Sequence, residues 1–353
     1  MRTDIIQINE NLLCDDNPVI INAGNIIKSG GLVAFPTETV YGLGGDALNA
    51  ASSAKIYAAK GRPSDNPLIV HIADIKDLSR ITMNVPDVAF KLADKFWPGP
   101  LTMIFQKADI VPLQTTGGLE TVAVRMPDNP IALAFIKASG GYIAAPSANA
   151  SGRPSPTTAA HVAEDMDGRI EMILDGGSSD IGLESTIVDL TGDTPMILRP
   201  GYISKAMLED VVGPVTIDPA IIGPMDANVR PKAPGMKYRH YAPKGSLAII
   251  SGSKNDVSQY ILRQIQTDHL DGKRVGVIAC TDSLSIYSDA DFLGEAGERD
   301  DEISISSNLY ALLRQCDEEK IDTIYSEEFD TPQLGMAIMN RLMKAAGHTI
   351  IHV

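Results

Sequence analysis

The fold of this 353-residue chain is decided by the stretch Phe35-Pro-Thr-Glu-Thr-Val-Tyr-Gly-Leu-Gly44, together with Lys60-Gly-Arg-Pro-Ser-Asp-Asn-Pro-Leu-Ile-Val-His71 downstream. Hydroxyls, two cations, an amide and an imidazole alternate there with short apolar segments, a pattern typical of a polar site carried by the ends of buried strands. Neither the Walker A motif nor G-x-G-x-x-G is present, so the two common nucleotide-binding motifs are excluded. Lys60 and Arg62 still flank a glycine at a predicted helix end, where they either bind an anion or compensate the helix dipole.

The composition indicates an acidic globular protein. Hydrophobic residues make up 44% of the chain and charged residues 21%, an ordinary globular balance, and the length suffices for two domains. The net charge of −15 disfavours a protein that binds phosphate backbones over a large surface. Aromatic residues, at 5%, offer little stacking surface for single strands. We therefore expect little direct nucleic-acid binding, whereas a small anionic substrate needs only a local cluster of cations.

The cysteines and the N-terminus predict where the protein works. Cys14, Cys280 and Cys316 are far apart and have no metal-ligand spacing, which indicates free thiols in a reducing compartment and no metal site. The acidic N-terminal segment does not read as a signal peptide, and no apolar run approaches the ~20 residues of a membrane span. We expect a cytoplasmic protein without membrane association.

The first part of the chain alternates helical and apolar patterns, which predicts an α/β domain with a twisted mixed sheet. Helices are predicted over residues 18–30, 50–60, 88–96 and 131–139. Strands are predicted over residues 31–36, 68–72, 101–106, 122–125, 142–145 and 187–190.

The pattern after residue 245 predicts a smaller, doubly wound parallel α/β domain. Its apolar strands are expected at 246–250, 274–279 and 321–325, and its helices at 257–266, 307–316 and 334–346. Segment 214–245 is too rich in proline for regular elements and reads as a long linker, and the acidic run 291–302 is interpreted as a solvated loop. The predicted division is therefore 1–213, 214–245 and 246–353.

Two arginines and one histidine end or interrupt apolar strands. Arg125 closes a predicted strand and Arg199 closes the run Ile197-Leu-Arg199. Because the carboxyl ends of strands border the crevice in which α/β proteins bind ligands, a binding role is favoured over surface salt bridges. His71 lies in an apolar strand without a Cys or His partner at metal spacing. It is either a structural residue or a hydrogen-bonding or charge-balancing partner of a carboxylate.

The loop that follows residue 145 is rich in small polar side chains. Pro146-Ser-Ala-Asn-Ala-Ser-Gly-Arg-Pro-Ser155 offers hydroxyls and amides that suit a nucleotide base, ribose or phosphate, although polar loops of this kind are often only flexible. No Gly-x-Ser-x-Gly elbow is present, which disfavours hydrolase chemistry. A crevice with many hydroxyls and cations and few bases works by positioning and charge neutralisation, as nucleotidyl transfer requires.

Taken in order, these segments resemble the threonylcarbamoyl-AMP synthase family in its long, two-domain form. The set is specific because the motifs occur in order from the first strand through the linker. Ala233 stands where a serine is expected, which puts one linker hydrogen bond in doubt. The motifs that carry the resemblance are Pro36-Thr-Glu-Thr-Val-Tyr-Gly-Leu43, Lys60-Gly-Arg-Pro63, Asn66-Pro-Leu-Ile-Val-His71, Trp97-Pro-Gly-Pro-Leu-Thr102, Val124-Arg-Met-Pro127, Pro146-Ser-Ala-Asn149, Glu184-Ser-Thr186, Arg199-Pro-Gly201 and Pro234-Gly-Met-Lys-Tyr-Arg-His-Tyr-Ala-Pro243.

The resemblance implies a fold, an activity and partners. The fold is a YrdC-like mixed sheet with helices, followed by a smaller Rossmann-like parallel domain. The activity is the condensation of L-threonine, bicarbonate and ATP into threonylcarbamoyl-AMP with release of pyrophosphate. Mg²⁺ accompanies the ATP without a dedicated protein cage. The product passes to a transferase that builds N6-threonylcarbamoyladenosine in tRNA.

The resemblance also implies site residues. Lys60 and Arg62 are expected to be catalytic. Threonine is expected to contact Thr39, His71, Thr121, Arg125, Ala145 and Ser185. ATP is expected to contact Lys60, Arg62, Asn66, Ser147, Asn149, Ser155, Arg199, Tyr238 and Tyr241, the two tyrosines belonging to a linker that acts as a lid.

Two rival functions are considered. The first is an RNA- or tRNA-binding protein that uses the surface of the YrdC-like domain, which the net charge of −15 disfavours. The second is a carbamoyl-transfer maturation enzyme with the same fold. Enzymes of that kind carry zinc-finger regions, and this sequence lacks the cysteines for them.

Overall fold

The computed structural model describes residues 2–9, 17–221, 231–234, 241–329 and 331–353. Within these residues the chain forms two compact units. The first contains the described parts of Met1–Ser151, Pro156–Asp180 and Glu184–Lys237. The second contains those of Gly152–Ser155, Ile181–Leu183 and Tyr238–Val353. Two short segments that lie in sequence between parts of the first unit therefore belong to the second unit.

The first unit is built on one mixed sheet, which has twelve strands among the described residues. They are β1 (Asp4–Gln7), β2 (Val33–Phe35), β3 (Gly42–Asp46), β4 (Ile69–His71), β5 (Thr82–Met83), β6 (Leu101–Lys107), β7 (Thr121–Arg125), β8 (Ile143–Ala145), β9 (Met172–Asp175), β10 (Thr186–Asp189), β11 (Met196–Arg199) and β12 (Thr216–Ile217). Their order is β1-β9-β2-β3-β8-β4-β7-β6-β10-β11-β12, with β5 paired to β6. Parallel pairs such as β4 with β7 adjoin antiparallel pairs such as β6 with β7, so the predicted mixed sheet is present.

The helices of the first unit are α1 (Pro18–Lys28), α2 (Ala50–Lys60), α3 (Leu78–Ile81), α4 (Asp87–Phe96), α5 (Pro130–Ala138), α6 (Ala159–Met166) and α7 (Lys205–Val212). The side chains of Asn17, Asn49 and Asn129 cap α1, α2 and α5 by accepting hydrogen bonds from backbone N–H groups of the first turn. Helix α2 ends at Gly61, which adopts φ +62°, a conformation that favours glycine. Lys60 is therefore the last helical residue, and the chain turns away directly after it.

The two faces of this sheet are packed differently. On one face, α1 and α5 cover a core that includes Val33, Phe35 and Ile143. The opposite face carries a larger core that includes Val70 and Val124. A small apolar cluster lies on the α1/α5 face beside the first core, because Ile69 pairs with Ala145 across β4 and β8. Its members are Ile69, Ile104, Ala123, Ile187, Leu198 and Ala233.

The second unit contains a sheet whose pairings are all parallel among the described residues. Its strands are β13 (Ser246–Ser251), β14 (Val275–Cys280), β15 (Phe292–Gly297), β16 (Thr323–Glu327) and β17 (Ile350–His352), in the order β15-β14-β16-β13-β17. Its helices are α8 (Lys254–Leu270), α9 (Thr281–Leu284), α10 (Glu302–Glu318) and α11 (Gly335–Ala345). Apolar residues of β13, β14 and α8 share one core, as the doubly wound pattern predicts.

Two sequence-based predictions about loops are wrong. The acidic run 291–302 contains strand β15, in which Gly294 and Ala296 are buried while Leu293 and Glu295 are exposed. An edge strand carries charged residues on its solvent-exposed side. The acidic composition therefore concealed the alternation of buried and exposed residues that marks a strand. The proline-rich segment likewise begins with a regular element, because β12 pairs with β11. Short strands such as β3 and β9 also escaped prediction, since β3 consists largely of glycine.

The described cysteines are free thiols, as predicted. Cys280 and Cys316 are both buried, and burial raises the pKa of Cys280 to about 11 and that of Cys316 to about 12. Their thiolate forms are therefore strongly disfavoured. Cys14 lies outside the described residues.

Candidate functional site

Five residues on adjacent strands are directly paired across the sheet of the first unit. We name this set the cross-sheet row. His71 pairs with Arg125, Arg125 with Thr102, Thr102 with Ile187, and Ile187 with Arg199. Directly paired residues point to the same face of a sheet. The row therefore brings together side chains from β4, β7, β6, β10 and β11. It adjoins the small apolar cluster, which contains Ile187 itself and residues two positions away on β4, β7 and β6.

Arg125 forms a buried ion pair with Glu38. Its Nη2 atom lies 2.6 Å from Glu38 Oε1, and its Nε donates to the carbonyl of Gly99 at 3.3 Å. Only 4% of Arg125 and 7% of Glu38 is exposed. Two opposite charges attract strongly when they are this close and shielded from solvent, and each compensates for the lost hydration of the other.

Glu38 is held in place by a tight turn of threonines. The Thr37 hydroxyl donates to the carbonyl of Val40 at 2.6 Å and accepts from the backbone N–H groups of Thr39 and Val40. It also lies 2.8 Å from the Thr39 hydroxyl. Thr39 is fully buried, so its hydroxyl faces polar partners inside the protein. The motif Pro36-Thr-Glu-Thr39 thus fixes two hydroxyls and one carboxylate at the end of β2.

His71 is a neutral imidazole. Burial lowers its pKa from 6.5 to about 3, and the charge of Arg125 acts in the same direction. Its Nδ1 lies 3.1 Å from the carbonyl of Ile69, and its ring packs edge-on against Phe35 with centroids 5.9 Å apart. A neutral imidazole can form hydrogen bonds but cannot balance a carboxylate. Of the two functional roles considered for His71, the structure therefore favours the hydrogen-bonding one.

The neutral state of His71 predicts a pH-dependent stability. The unfolded chain takes up a proton near pH 6.5 that the folded protein does not, so the free energy of unfolding falls as the pH drops from 6.5 toward 3, by up to about 1.4 kcal/mol per pH unit. We expect the variant His71→Gln to lose less stability over this range than the wild type in urea titrations. Exposed His352→Gln is the control and should follow the wild type. Parallel curves for His71→Gln and the wild type would contradict the assignment.

Arg199, Ser185 and Thr102 form a hydrogen-bonded chain at the other end of the row. Arg199 Nε donates to the Ser185 carbonyl at 3.0 Å, and Arg199 Nη2 donates to the Ser185 hydroxyl at 3.1 Å. The Ser185 hydroxyl in turn lies 2.7 Å from that of Thr102. Arg199 Nη1 also donates to the carbonyl of Pro234 at 3.4 Å. One arginine therefore contacts both a predicted threonine ligand and Pro234, which lies in the segment predicted to be a linker.

Lys60 fastens the loop that follows β8. Its Nζ donates to the Ser147 carbonyl at 2.5 Å, to the Asn149 carbonyl and to Asn149 Oδ1 at 3.3 Å. The Ser147 hydroxyl donates to the same Oδ1 at 2.6 Å. An ammonium has three protons, and these three hydrogen bonds all go to the loop. Lys60 is 3% exposed and brings Ser147 and Asn149 together.

Arg62 and Asn66 lie just beyond the end of α2. Arg62 Nη2 donates to the carbonyls of Asn66 at 3.4 Å and Pro67 at 3.2 Å. Asn66 is 1% exposed, and among the residues that the structure describes its Oδ1 has no hydrogen-bond donor. A buried amide oxygen without a donor is costly.

Two predicted threonine ligands lie on strands beside the row. Thr121 begins β7, four residues or about 13 Å before Arg125 on the same face. Ala145 ends β8 and pairs with Ile69. Of the predicted threonine ligands, His71 and Arg125 lie in the cross-sheet row, and Thr39 and Ser185 lie beyond strand ends. Thr121 lies at the far end of its strand.

Three predicted ATP ligands fall outside the first unit or outside the described residues. Ser155 and Tyr241 belong to the second unit. Ser155 is fully buried, and the ring of Tyr241 stacks on Tyr310 with centroids 5.1 Å apart. Tyr238, together with the stretch 235–240 of the linker motif, lies outside the described residues.

Sequence reasoning missed two residues of the site. Glu38 was quoted within its motif but given no role, and Thr102 was quoted only as the end of a motif. The signal for Glu38 was a charged residue enclosed by two threonines directly after a buried strand. The signal for Thr102 was a hydroxyl inside an otherwise apolar run.

Neither a cluster of metal ligands nor a membrane-spanning helix occurs among the described residues. No group of three or more His, Cys, Asp or Glu side chains is gathered there as metal ligands. None of the described helices has the length and apolar character to cross a bilayer.

Comparison with known proteins places the chain in a family. The family model described as "Telomere recombination", for the Sua5, YciO and YrdC proteins, matches residues 25–201. The model described as "Threonylcarbamoyl-AMP synthase, C-terminal domain" matches residues 203–347. The chain is 49% identical over 340 residues to the threonylcarbamoyl-AMP synthase of Bacillus subtilis, with 96% of each protein covered. It belongs to the threonylcarbamoyl-AMP synthase family.

Other members of the family agree over the whole length. The threonylcarbamoyl-AMP synthase of Pyrococcus abyssi is 47% identical over 351 residues, which cover 99% of this chain and 100% of the relative. The crystal structure of P. abyssi Sua5 complexed with L-threonine superimposes with a TM-score of 0.93 at 46% identity and covers 99% of this chain and 100% of that one. The predicted family resemblance and the predicted fold class are thus confirmed.

Proposed function

We propose that this protein condenses L-threonine, bicarbonate and ATP into threonylcarbamoyl-AMP and pyrophosphate. The observation that carries the proposal is the match to threonylcarbamoyl-AMP synthases at 47–49% identity over nearly the full length of both proteins. The chain is accordingly a nucleotidyl-transferring enzyme. Family membership does not favour the alternative of an RNA- or tRNA-binding protein, and the net charge of −15 opposes it as well.

Threonine binding is assigned to the cross-sheet row and the turn beside it. Arg125 supplies the charge for the substrate carboxylate, and neutral His71 and buried Thr39 supply hydrogen bonds for the substrate hydroxyl. Ser185, oriented by Arg199, is available to a second polar group. The L-threonine complex of P. abyssi Sua5 supports this assignment through its overall similarity, and Thr121 and Ala145 complete the proposed set.

ATP binding is assigned to the end of α2 and the loop after β8. Lys60 acts there by positioning Ser147 and Asn149, while Arg62, Asn66 and Arg199 offer polar atoms to the triphosphate. Ser155, Tyr238 and Tyr241 complete the proposed set. Hydroxyl and amide oxygens of this kind fit an Mg²⁺ ion that arrives already bound to phosphates, and we include Mg²⁺ as a partner of ATP.

The reaction follows from these placements in two steps. L-Threonine and bicarbonate first combine to a carbamate, with loss of one water and one proton. A carbamate oxygen then attacks the α-phosphorus of ATP, the bond to the bridging oxygen breaks, and pyrophosphate leaves. A site that neutralises the charges and excludes water is sufficient for this chemistry. The product would pass to a transferase that modifies tRNA, and we propose the cytoplasm as the location.

We further propose that catalysis resides in residues 1–213, that 214–245 is a linker and that 246–353 is an accessory domain. The two family models meet near residue 202, before the proposed linker, and support a division of the chain into two parts.

The proposed function predicts that pyrophosphate release requires both small substrates. With purified protein and ATP, we expect release to fall to background when either L-threonine or bicarbonate is omitted. Buffers purged of CO₂ are needed, since dissolved CO₂ replaces added bicarbonate. ATP turnover that is indifferent to threonine would show that the family relationship marks the fold and not the activity.

A further inference from the structure

We propose that Glu38 binds the ammonium group of the substrate amino acid, so that the Glu38–Arg125 pair recognises both charges of L-threonine. This inference rests on the proposed function, because it assigns a role at the same site. It adds a residue that neither the motif analysis nor the relationship to the family assigns to a ligand.

The first observation is that one carboxylate oxygen of Glu38 has no hydrogen-bond donor among the described residues. Glu38 Oε1 faces Arg125 at 2.6 Å, but among the described residues its Oε2 has no hydrogen-bond donor. Glu38 is more than nine-tenths buried. A buried carboxylate oxygen without a donor is costly. An ammonium group would supply the missing donor.

The second observation is the arrangement of charge. In an α-amino acid the carboxylate and the ammonium are attached to the same carbon, so a fitting receptor needs a cation and an anion close together. Arg125 and Glu38 provide such a pair in a buried place. The substrate carboxylate can accept from Arg125 while the substrate ammonium donates to Glu38 Oε2, and each buried charge of the protein then also has a partner on the substrate.

The third observation is an excess of negative charge around Glu38. The pKa of Asp128 is raised by its partial burial and by the nearby carboxylates of Glu38 and Asp180. Asp128 therefore adds negative charge near Glu38, beyond the charge that Arg125 balances. A cationic group beside Glu38 would relieve this repulsion, whereas a second anion would increase it. The surroundings of Glu38 therefore favour an ammonium ligand.

The proposal predicts how the protein discriminates against a substrate without an amine. We consider 2,3-dihydroxybutanoate of matching stereochemistry, in which a hydroxyl replaces the ammonium of L-threonine. It keeps the carboxylate for Arg125 and the side-chain hydroxyl, but it brings no positive charge to Glu38. The wild-type protein should bind L-threonine at least about 30-fold more tightly than this analogue.

The test combines the two ligands with the variant Glu38→Gln, using calorimetric titration of the full chain. The amide has nearly the size and shape of the carboxylate, but it has lost the charge that binds an ammonium. We expect the variant to lose about 30-fold or more in affinity for L-threonine and less than about threefold for the dihydroxy acid. Equal losses for the two ligands would mean that Glu38 only positions Arg125, and the proposal would be overturned.

Two further variants keep the result interpretable. Asp128→Asn neutralises a neighbouring carboxylate and should keep the preference for L-threonine. If Glu38→Gln melts well below the wild type, Glu38→Asp retains the charge but shortens its reach. It should weaken L-threonine binding and leave the analogue unaffected, and an unchanged ratio would again contradict the proposal. The wild-type requirement for threonine in pyrophosphate release tests the function separately, so failure of one is distinguishable from failure of the other.

Discussion

Replacement of Arg125 by methionine should destabilise the protein by about 3–5 kcal/mol and reduce pyrophosphate release by at least ~10³-fold. The stability loss arises because the buried carboxylate of Glu38 is left without its counter-ion at 2.6 Å. The activity loss arises because the proposed partner of the substrate carboxylate is removed. Urea unfolding measures the first effect, and steady-state release with saturating ATP measures the second.

A double variant separates these two effects. Arg125→Met combined with Glu38→Leu replaces the ion pair by two apolar side chains, a change that is often neutral for stability when a buried pair is removed as a whole. We therefore expect most of the stability to return while the activity stays lost. If the single variant is as stable as the wild type, the pair contributes no buried electrostatic energy. If the double variant regains activity, Arg125 does not contact the substrate.

Replacement of Lys60 by methionine should raise the KM for ATP by about 10²-fold or more, with a smaller effect on the KM for threonine. The ammonium holds the Ser147 and Asn149 carbonyls and the Asn149 side chain. Without it, buried acceptors lose their donor at about 1–3 kcal/mol each, and the loop shifts. A displacement of about 1 Å in a positioning element is enough for such a loss. Kinetics at varied ATP and fixed threonine measure it.

Lys55→Met is the matched control for this experiment. Lys55 lies on the same helix and also donates to a carbonyl, that of Gly30, but it does so in an exposed position. We expect its loss to leave the KM for ATP within about twofold of the wild type, since exposed interactions of this kind contribute little. Equal effects of the two lysines would show that Lys60 acts through helix stability and not through the loop.

Much of the fold could be predicted because its longer elements follow simple patterns. Helix α2 over residues 50–60 was predicted with its observed bounds, since the Lys-Gly-Arg-Pro sequence ends a helix clearly. Strand β7 was placed within one residue because its apolar run ends at Arg125. Strand β15 was missed, since only one of its faces is buried and the sequence around it is acidic.

The types of residue in the candidate site could be predicted from the sequence, but the residues with which they interact could not. Arg125 and His71 were singled out from their positions in strands, yet nothing in the sequence shows that β4 and β7 are neighbours. The ion pair of Arg125 with Glu38 joins residues 87 positions apart in sequence, and no local pattern relates them. The prediction that Lys60 contacts an anion came from its residue type, whereas its hydrogen bonds to the loop after β8 join residues far apart in sequence.

The cross-sheet row also limits how the length of the chain can change. In a strand, side chains alternate between faces, so loss of one residue within β7 would turn every later side chain of that strand over. The guanidinium of Arg125 would then enter the apolar core that contains Val124, while an aliphatic side chain took its place beside Glu38. Insertions and deletions should therefore be confined to the loops between these strands. A change in loop length leaves the side chains of the cross-sheet row on the same face of the sheet.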